Sequence, residues 1–282
     1  MRADLHTHSS VSDGTEPPAI VIRRAAEAEL DVVALTDHDT VAGHDAARQA
    51  LPPGLTLVPG MELSCRLEDH SVHLLGYLFD PDNADLAAEC ARIRESRVHR
   101  ARAMVDRLAG LGVPVTWEQV SAIAGDGVVG RPHVARAMVE AGVIESPEQA
   151  FGPEWIGAGG RAHVARYALD PARAVALIRA AGGVAVLAHP RVAARGWTVP
   201  DDVIAGLAAA GLSGVEVWHP DQGPAQRAEL QALAGRLGLV ASGGSDDHGG
   251  LTGYRIGSDT IAPDAYEALV AQARGAAPVT GR

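Results

Sequence analysis

The sequence predicts an α/β protein built on a largely parallel sheet or barrel. Three observations carry this reading: short apolar runs of strand length recur along the chain, helical patterns separate many of them, and histidines and carboxylates gather where the runs end. In a β/α barrel the C-terminal strand ends converge on one face, so residues far apart in sequence can meet around one pocket.

The runs can be taken in order. ADL (3–5) is followed by His6 and His8, inside the stretch DLHTHSSVSDG. PPAIVIRRAAEAEL then opens with prolines suited to a first helical turn and places apolar residues at helical spacing. DVVALT (31–36) leads into Asp37, His38 and Asp39, LTLVPGMEL (55–63) reaches Glu62, and VHLLGYL (72–78) carries His73 within the run. Residues 83–112 read as one long helix. VPVTWEQVSAIAGDGVVGRPHVARAMVEAGVIESPEQAF then forms a small helical lobe that ends near GGRAHVARYA. DPARAVALIRAAGG begins with a cap-like Asp170 and stops on Gly182 and Gly183. GVAVLAHP (183–190) ends at His189, GVEVWHP (214–220) at Glu216 and His219, and GLVASGGSD (238–246) at Asp246, with His248 just beyond.

At 282 residues and 47% hydrophobic content, the chain can hold one large α/β domain or a core with a smaller insert. All 24 basic residues are arginine, and the formal net charge of −11 argues against a duplex-DNA partner. Bound divalent ions would add local positive charge, so an acidic chain can still own an anion site. Cys65 and Cys90 have no CxxC spacing, which excludes a cysteine zinc site and a disulfide framework. MRADLHTHSS lacks the apolar stretch of a signal peptide and no run reaches membrane-spanning length, so a cytoplasmic protein with no membrane partner is expected.

A single His-x-His pair is a weak signal in a chain with 12 histidines. A lone histidine or aspartate at a strand end is more often a cap than a ligand. Repetition changes the balance, because six separate strand ends supplying imidazoles and carboxylates to one face describe a metal site.

DLHTHSSVSDG, ALTDHDT, PGMELS, VHLLGY, VLAHP and GGSDDH, in that order, resemble the PHP (polymerase and histidinol phosphatase) domain phosphoesterases over essentially the whole chain. The resemblance implies a distorted (β/α)7 TIM-like barrel over 1–82 and 166–282, with a helical insert lobe over 83–165 covering the active site. It implies that His6, His8, Glu62 and Asp246 surround one metal, that Asp13, His38 and His248 hold a second, and that Glu62 bridges to a third completed by His73 and His189. His248, Asp13 and Asp246 would be the catalytic set. Two or three divalent ions are expected, manganese first with iron or zinc as alternatives, since mixed imidazole and carboxylate ligation suits these better than magnesium or calcium. Neighbouring metals lower the pKa of a shared water and clamp phosphate oxygens, so no serine or cysteine nucleophile is required. Gly14 fits a tight turn at the metal loop, and Asp37 and Asp39 are read as orienting the imidazoles around them.

Within the family the chain is most similar to the nucleotide-directed branch, which removes phosphate from nucleoside monophosphates or 3′,5′-bisphosphates or trims short RNA from its 5′ end. The long interruption before VLAHP and the piece GRPHVAR carry this. Arg131 offers a planar fork to a phosphate, Pro132 fits a first helical turn and His133 adds a second donor. The expected partner is thus a small phosphorylated substrate, a nucleotide. The alternatives are a histidinol-phosphate phosphatase sharing the same metals, or a non-catalytic PHP module, against which the full ligand set argues. Gln222 stands where related chains carry a further histidine. His44, His70, His99 and His163 are read as surface residues, and Trp117, Trp155, Trp197 and Trp218 as lobe packing.

Overall fold

The run Val32–Leu35 (β2) is buried at every position, as a parallel strand covered on both faces must be. Its side chains alternate between two cores. Val32 and Ala34 join Leu75, Tyr77 and Val186 in one, while Val33 and Leu35 join Val21, Ile22 and Leu57 in the other. The first core draws on five neighbouring strands and fills the barrel interior. The second lies beneath helices α1 (Pro18–Glu27) and α2 (His44–Gln49).

This computed structural model describes residues 1–68, 70–165, 167–192 and 196–282. The chain divides into two units, Met1–Cys90 with Ala168–Arg282, and Ala91–Tyr167. Arg166, where the sequence reading resumes the barrel, lies outside the described residues.

In the first unit β1 (Ala3–Asp4) pairs parallel with β2, and β2 with β3 (Thr56–Leu67). β4 (His70–Tyr77) runs antiparallel to β3 and to β5 (Val184–Leu187). β5, β6 (Gly214–Trp218) and β7 (Val240–Gly243) are again parallel. Leu5 N–H donates to Gly243 O at 3.3 Å and Thr7 bridges Asp247, so the seven-stranded sheet is a nearly closed barrel. Reversal of β4 has a simple cause. Only two residues separate β3 from β4, a link that joins antiparallel strands, whereas a parallel pair needs a long crossover. β8 (Val279–Thr280) adds to the start of β3.

α1 has Pro18 in its first turn and buries Val21, Ile22 and Ala25 along one face. The long helix α3 spans Ala84–Gly110, as the sequence predicts. Its first turns stay with the barrel unit because Leu86 and Cys90 are buried there, Cys90 Sγ lying 3.6 Å from Met61 Sδ of β3. α6 (Pro171–Ala180) is capped by Asp170, which accepts from Arg173 N–H at 3.1 Å. α7 (Asp201–Ala209), α8 (Pro224–Leu237) and α9 (Pro263–Gln272) complete the unit.

Ala91–Tyr167 is helical and owns a core of Met104, Leu108, Val120, Val134, Met138 and Ile156. α4 (Trp117–Ala124) starts with a reciprocal cap in which Thr116 Oγ1 accepts from Gln119 N–H and Gln119 Oε1 accepts from Thr116 N–H. α5 (Arg131–Glu140) follows, then a short 3-10 turn over Pro147–Phe151. Trp117 and Trp155 pack on this core, but Trp197 and Trp218 belong to the barrel unit, which corrects their reading as lobe residues. Among the described residues no helix is long and apolar enough to cross a membrane.

Tyr77 ties strands that are not neighbours: its buried hydroxyl donates to Leu5 O at 2.7 Å, across the interior from β4 to β1. Tyr77→Phe should therefore destabilise the fold by about 1–2 kcal/mol and lower the melting midpoint by about 2–6 °C. A calorimetric scan with an unchanged midpoint would show that this bond does not brace the barrel.

Candidate metal centre

Six of the seven barrel strands deliver donors to one face, the parallel ones at or past their C-terminal halves and the antiparallel β4 from its N-terminal half. His6 and His8 follow β1, His38 follows β2, Glu62 lies in β3 and His73 in β4. His189 follows β5, and Asp246 and His248 follow β7. Asp13 comes from the loop after β1, whose fold depends on Gly14. A Cβ there would lie 2.8 Å from His8 O, and Gly14 N–H donates to Ser9 O. Gly244 does the same for closure, since a Cβ would sit 2.5 Å from His6 N.

The side chains converge on Glu62, which is 1% exposed. His6 Nε2, His8 Nε2, Glu62 Oε2 and Asp246 Oδ1 form one group. The separations are 3.1 Å between the two nitrogens, 3.5 and 3.2 Å from these to Glu62 Oε2, and 3.2 and 3.3 Å to Asp246 Oδ1. Donors bonded at about 2.0–2.1 Å to a tetrahedral ion stand about 3.3 Å apart, so this cage has the right size for a divalent cation.

A second group joins His8, Asp13, His38 and His248. It is looser, with His248 Nε2 3.3 Å from Asp13 Oδ1 and His38 Nε2 3.7 Å from Asp13 Oδ2. On the other oxygen of Glu62, His73 Nδ1 lies at 2.7 Å and His189 Nε2 at 3.0 Å. All nine expected ligands are thus brought together in the barrel unit. Arg131 and His133 belong to Ala91–Tyr167, at the start of α5.

The donor chemistry fits a cation. Asp13 Oδ1 and Asp246 Oδ1 are buried and accept no hydrogen bond, although imidazole nitrogens stand 3.3 and 3.2 Å away. Two imidazole nitrogens stand 3.1 Å apart with two carboxylate oxygens close to both, a donor set that a cation between lone pairs satisfies.

The titration behaviour agrees. Burial opposes charging His6 and His8, yet Asp246, Glu216 and Glu62 raise His6 well above the usual imidazole range, and Asp246 and Glu62 hold His8 up at about 10. Burial likewise opposes ionising the carboxylates, but neighbouring imidazoles hold Asp13, Glu62 and Asp246 well below the usual range. Without a cation, protons take its place.

Supporting contacts differ in part from the sequence reading. Asp37 does not hold an imidazole directly. It accepts from Ser9 N–H and Oγ–H and from Ser12 Oγ–H, and Ser12 Oγ lies 3.4 Å from His8 Nδ1. Asp39 accepts from Ser64 N–H and Oγ–H. His44 is buried rather than exposed, and its Nε2 donates to Gly60 O at 2.7 Å. Gln222 is buried and spends its amide on backbone, donating to Glu216 O and Val217 O and accepting from Arg191 N–H.

Sequence reasoning named Glu216 and His219 at a strand end but gave them no role. Glu216 Oε1 lies 3.0 Å from His6 Nδ1, and His219 Nε2 lies 3.3 Å from Asp246 Oδ2. The available signal was a carboxylate between two valines of a buried strand.

The PHP domain family model matches residues 4–109. A 5′-3′ exoribonuclease of Haemophilus influenzae is 36% identical over 87% of this chain and 89% of its own length. A 3′,5′-nucleoside bisphosphate phosphatase of Chromobacterium violaceum is 35% identical over 87% of this chain and 86% of its own. A crystal structure from Bifidobacterium adolescentis, assigned to the metal-dependent phosphoesterases, superposes with a TM-score of 0.90 at 34% identity over 96% of both chains.

Because protons occupy the metal-free cage, uptake of a divalent ion must expel them. The sign follows from His8: with its pKa near 10 it is charged throughout the neutral range, so lowering pH strengthens the competitor. Titration calorimetry in buffers of different ionisation enthalpy should show proton release, with apparent affinity weakening about tenfold per pH unit for each proton displaced. Equal affinity at about pH 6 and 8 would contradict this charge state.

Proposed function

The chain belongs to the PHP-domain phosphoesterases, and on that premise we propose that it hydrolyses phosphate monoesters of nucleotides. The substrate class comprises AMP, 3′,5′-nucleoside bisphosphates and short 5′-phosphorylated RNA. One observation carries the reading: a buried cage of imidazoles and carboxylates, sized for divalent ions, at the strand ends of the barrel unit. His6, His8, Glu62 and Asp246 would hold one ion, Asp13, His38 and His248 a second, and His73 and His189 with Glu62 a third. Two or three ions follow, manganese first, with iron or zinc compatible with the same donors. When bound, such ions polarise a phosphate oxygen and bring the pKa of water toward neutrality.

The chain's own residues supply the rest. His248 and Asp246 are more open than His6 and His8, with side chains 15% and 11% exposed against 0%, so they border the side from which a phosphate can arrive. Asp13 joins them as the third member of the catalytic set, kept ionised by His38 and His248. Substrate choice is assigned to α5. Its first turn presents Arg131 and Pro132, and His133 Nδ1 accepts from Gly130 N–H at 2.9 Å, which leaves Nε2–H as the donor of a neutral ring. A helix N-terminus with a guanidinium fork and an imidazole donor suits a phosphate. The relatives named for RNA and nucleoside bisphosphates support a nucleotide over other phosphate esters. Nucleotides are cytoplasmic metabolites, and this reading places the protein with them.

Elemental analysis of protein grown with manganese should give two or three equivalents per chain; less than one would defeat the cage. Phosphate release should follow from AMP, 3′,5′-bisphosphoadenosine or 5′-phosphorylated RNA, whereas release from histidinol phosphate alone would move the assignment. Asp13→Asn should lower turnover by on the order of 10²-fold at an unchanged melting midpoint.

Arg131→Ala should leave metal content unchanged and lower kcat/KM on nucleotides by about 10²-fold, with Arg131→Lys recovering part of it. Unchanged kinetics on every phosphorylated nucleotide would remove α5 from substrate recognition.

A further inference from the structure

Glu216 is a carboxylate with 0% exposure, set between Val215 and Val217, which are equally buried. It is not one of the nine expected ligands, although it stands close to two of them. Both of its oxygens are engaged, and both partners belong to histidines of the cage. Oε1 lies 3.0 Å from His6 Nδ1, and Oε2 accepts from His189 N–H at 2.7 Å.

We propose that Glu216 is a positioning residue that sets one histidine's tautomer and another's backbone, and so couples two of the metal-binding groups. This rests on reading the cluster as a metal centre. The His6 ring faces two ways: Nε2 toward His8, Glu62 and Asp246, and Nδ1 toward Glu216. With Glu216 Oε1 accepting at 3.0 Å, His6 as a metal ligand carries its proton on Nδ1 and keeps the Nε2 lone pair for the cage. The opposite tautomer would direct an N–H at the position of the cation.

His189 receives the second oxygen. Its φ of 31° is sparsely populated for a residue with a side chain, and from that conformation its Nε2 stands 3.0 Å from Glu62 Oε1. A charge-assisted bond to its N–H holds it there. The anchor is itself fixed, because Gln222 Nε2 donates to Glu216 O and Val217 O and Gln222 Oε1 accepts from Arg191 N–H. One buried carboxylate on β6 therefore orders donors that follow β1 and β5. The groups built on His6 and on His189 should not fill independently.

The test uses the full chain. In the zinc-loaded wild type, nitrogen-15 spectra of the histidine rings, with His6 assigned by its loss in His6→Gln, should show His6 protonated at Nδ1 and unprotonated at Nε2. Glu216→Gln can still accept from His189 N–H, but it turns an amide donor toward His6 Nδ1 and forces the proton onto Nε2. Zinc or manganese affinity at the tightest site should fall about 10- to 100-fold, and one further equivalent should be lost with it. The metal-free variant loses the ion pair with His6 and should melt lower than the metal-free wild type while remaining folded, and affinities are compared between the folded proteins. An unprotonated His6 Nδ1 in the wild type, or equal metal affinity in the variant, would overturn the proposal, and the first of these needs no variant to fold. So would a large loss of metal-free stability with affinity unchanged, which marks a packing role. A wild type that takes up no metal at all would instead sink the metal centre, and this role with it.

Discussion

The barrel unit's functional end depends on one carboxylate. Glu62 is almost wholly out of water, and five imidazoles reach its two oxygens: His73 and His189 on Oε1, His38, His8 and His6 on Oε2. Burying a carboxylate costs several kcal/mol unless charge and hydrogen bonds offset it. Here the offset comes from residues placed by β1, β2, β4 and β5, so the group is tolerable only once those strands are assembled. Backbone contacts reinforce the condition. Glu62 N–H donates to Thr36 O and Asp37 O, which registers the middle of β3 on the end of β2, where His38 begins. Folding the barrel and building the cage are one requirement.

That requirement has a visible cost in backbone strain. Asp39, His189 and Asp246 all have positive φ, at 56°, 31° and 50°. Conformations of this kind cost on the order of 1–3 kcal/mol each and persist only where neighbours hold them. Asp39 is held through Ser64, His189 through Glu216, and Asp246 between His6, His8 and His219. Glycine serves where side chains have no room, at Gly14 in the loop bearing Asp13 and at Gly244 against His6. Strain and close approach at these five positions border the cage, and others such as Leu78 and Gly183 lie elsewhere in the barrel unit.

Much of this was legible in the sequence, for a physical reason. A parallel strand buried on both faces reads as an unbroken apolar run, so its end is marked by polar residues, and in this chain His6, His38, His189 and Asp246 come soon after those ends. Reversal of β4 was not drawn from the sequence, although the eight residues between LTLVPGMEL and VHLLGYL leave little room for a crossover helix. What stayed hidden depends on contacts distant in sequence. His44 looks like a surface residue on a short polar helix until Gly60 O is brought to it. Asp37 looks like an imidazole partner because it adjoins His38, yet its oxygens go to Ser9 and Ser12. Glu216 shows only as an oddity in a valine-rich strand, and its meaning appears once His6 and His189 stand beside it.

The cage explains reactivity better than choice. Clustered cations respond to the charge of a phosphate oxygen, which every phosphate ester carries, so the nine donors do not distinguish one substrate from another. Selection requires groups with direction: a guanidinium fork that matches two oxygens, or an N–H fixed by the bond its ring makes elsewhere. Arg131 and His133 have that character, the second because Gly130 N–H occupies Nδ1 and commits the proton to Nε2. Gln222 spends its amide on backbone around β6, where it supports Glu216. The cage donors are buried in the barrel unit, whereas the start of α5 belongs to Ala91–Tyr167 and shares none of them.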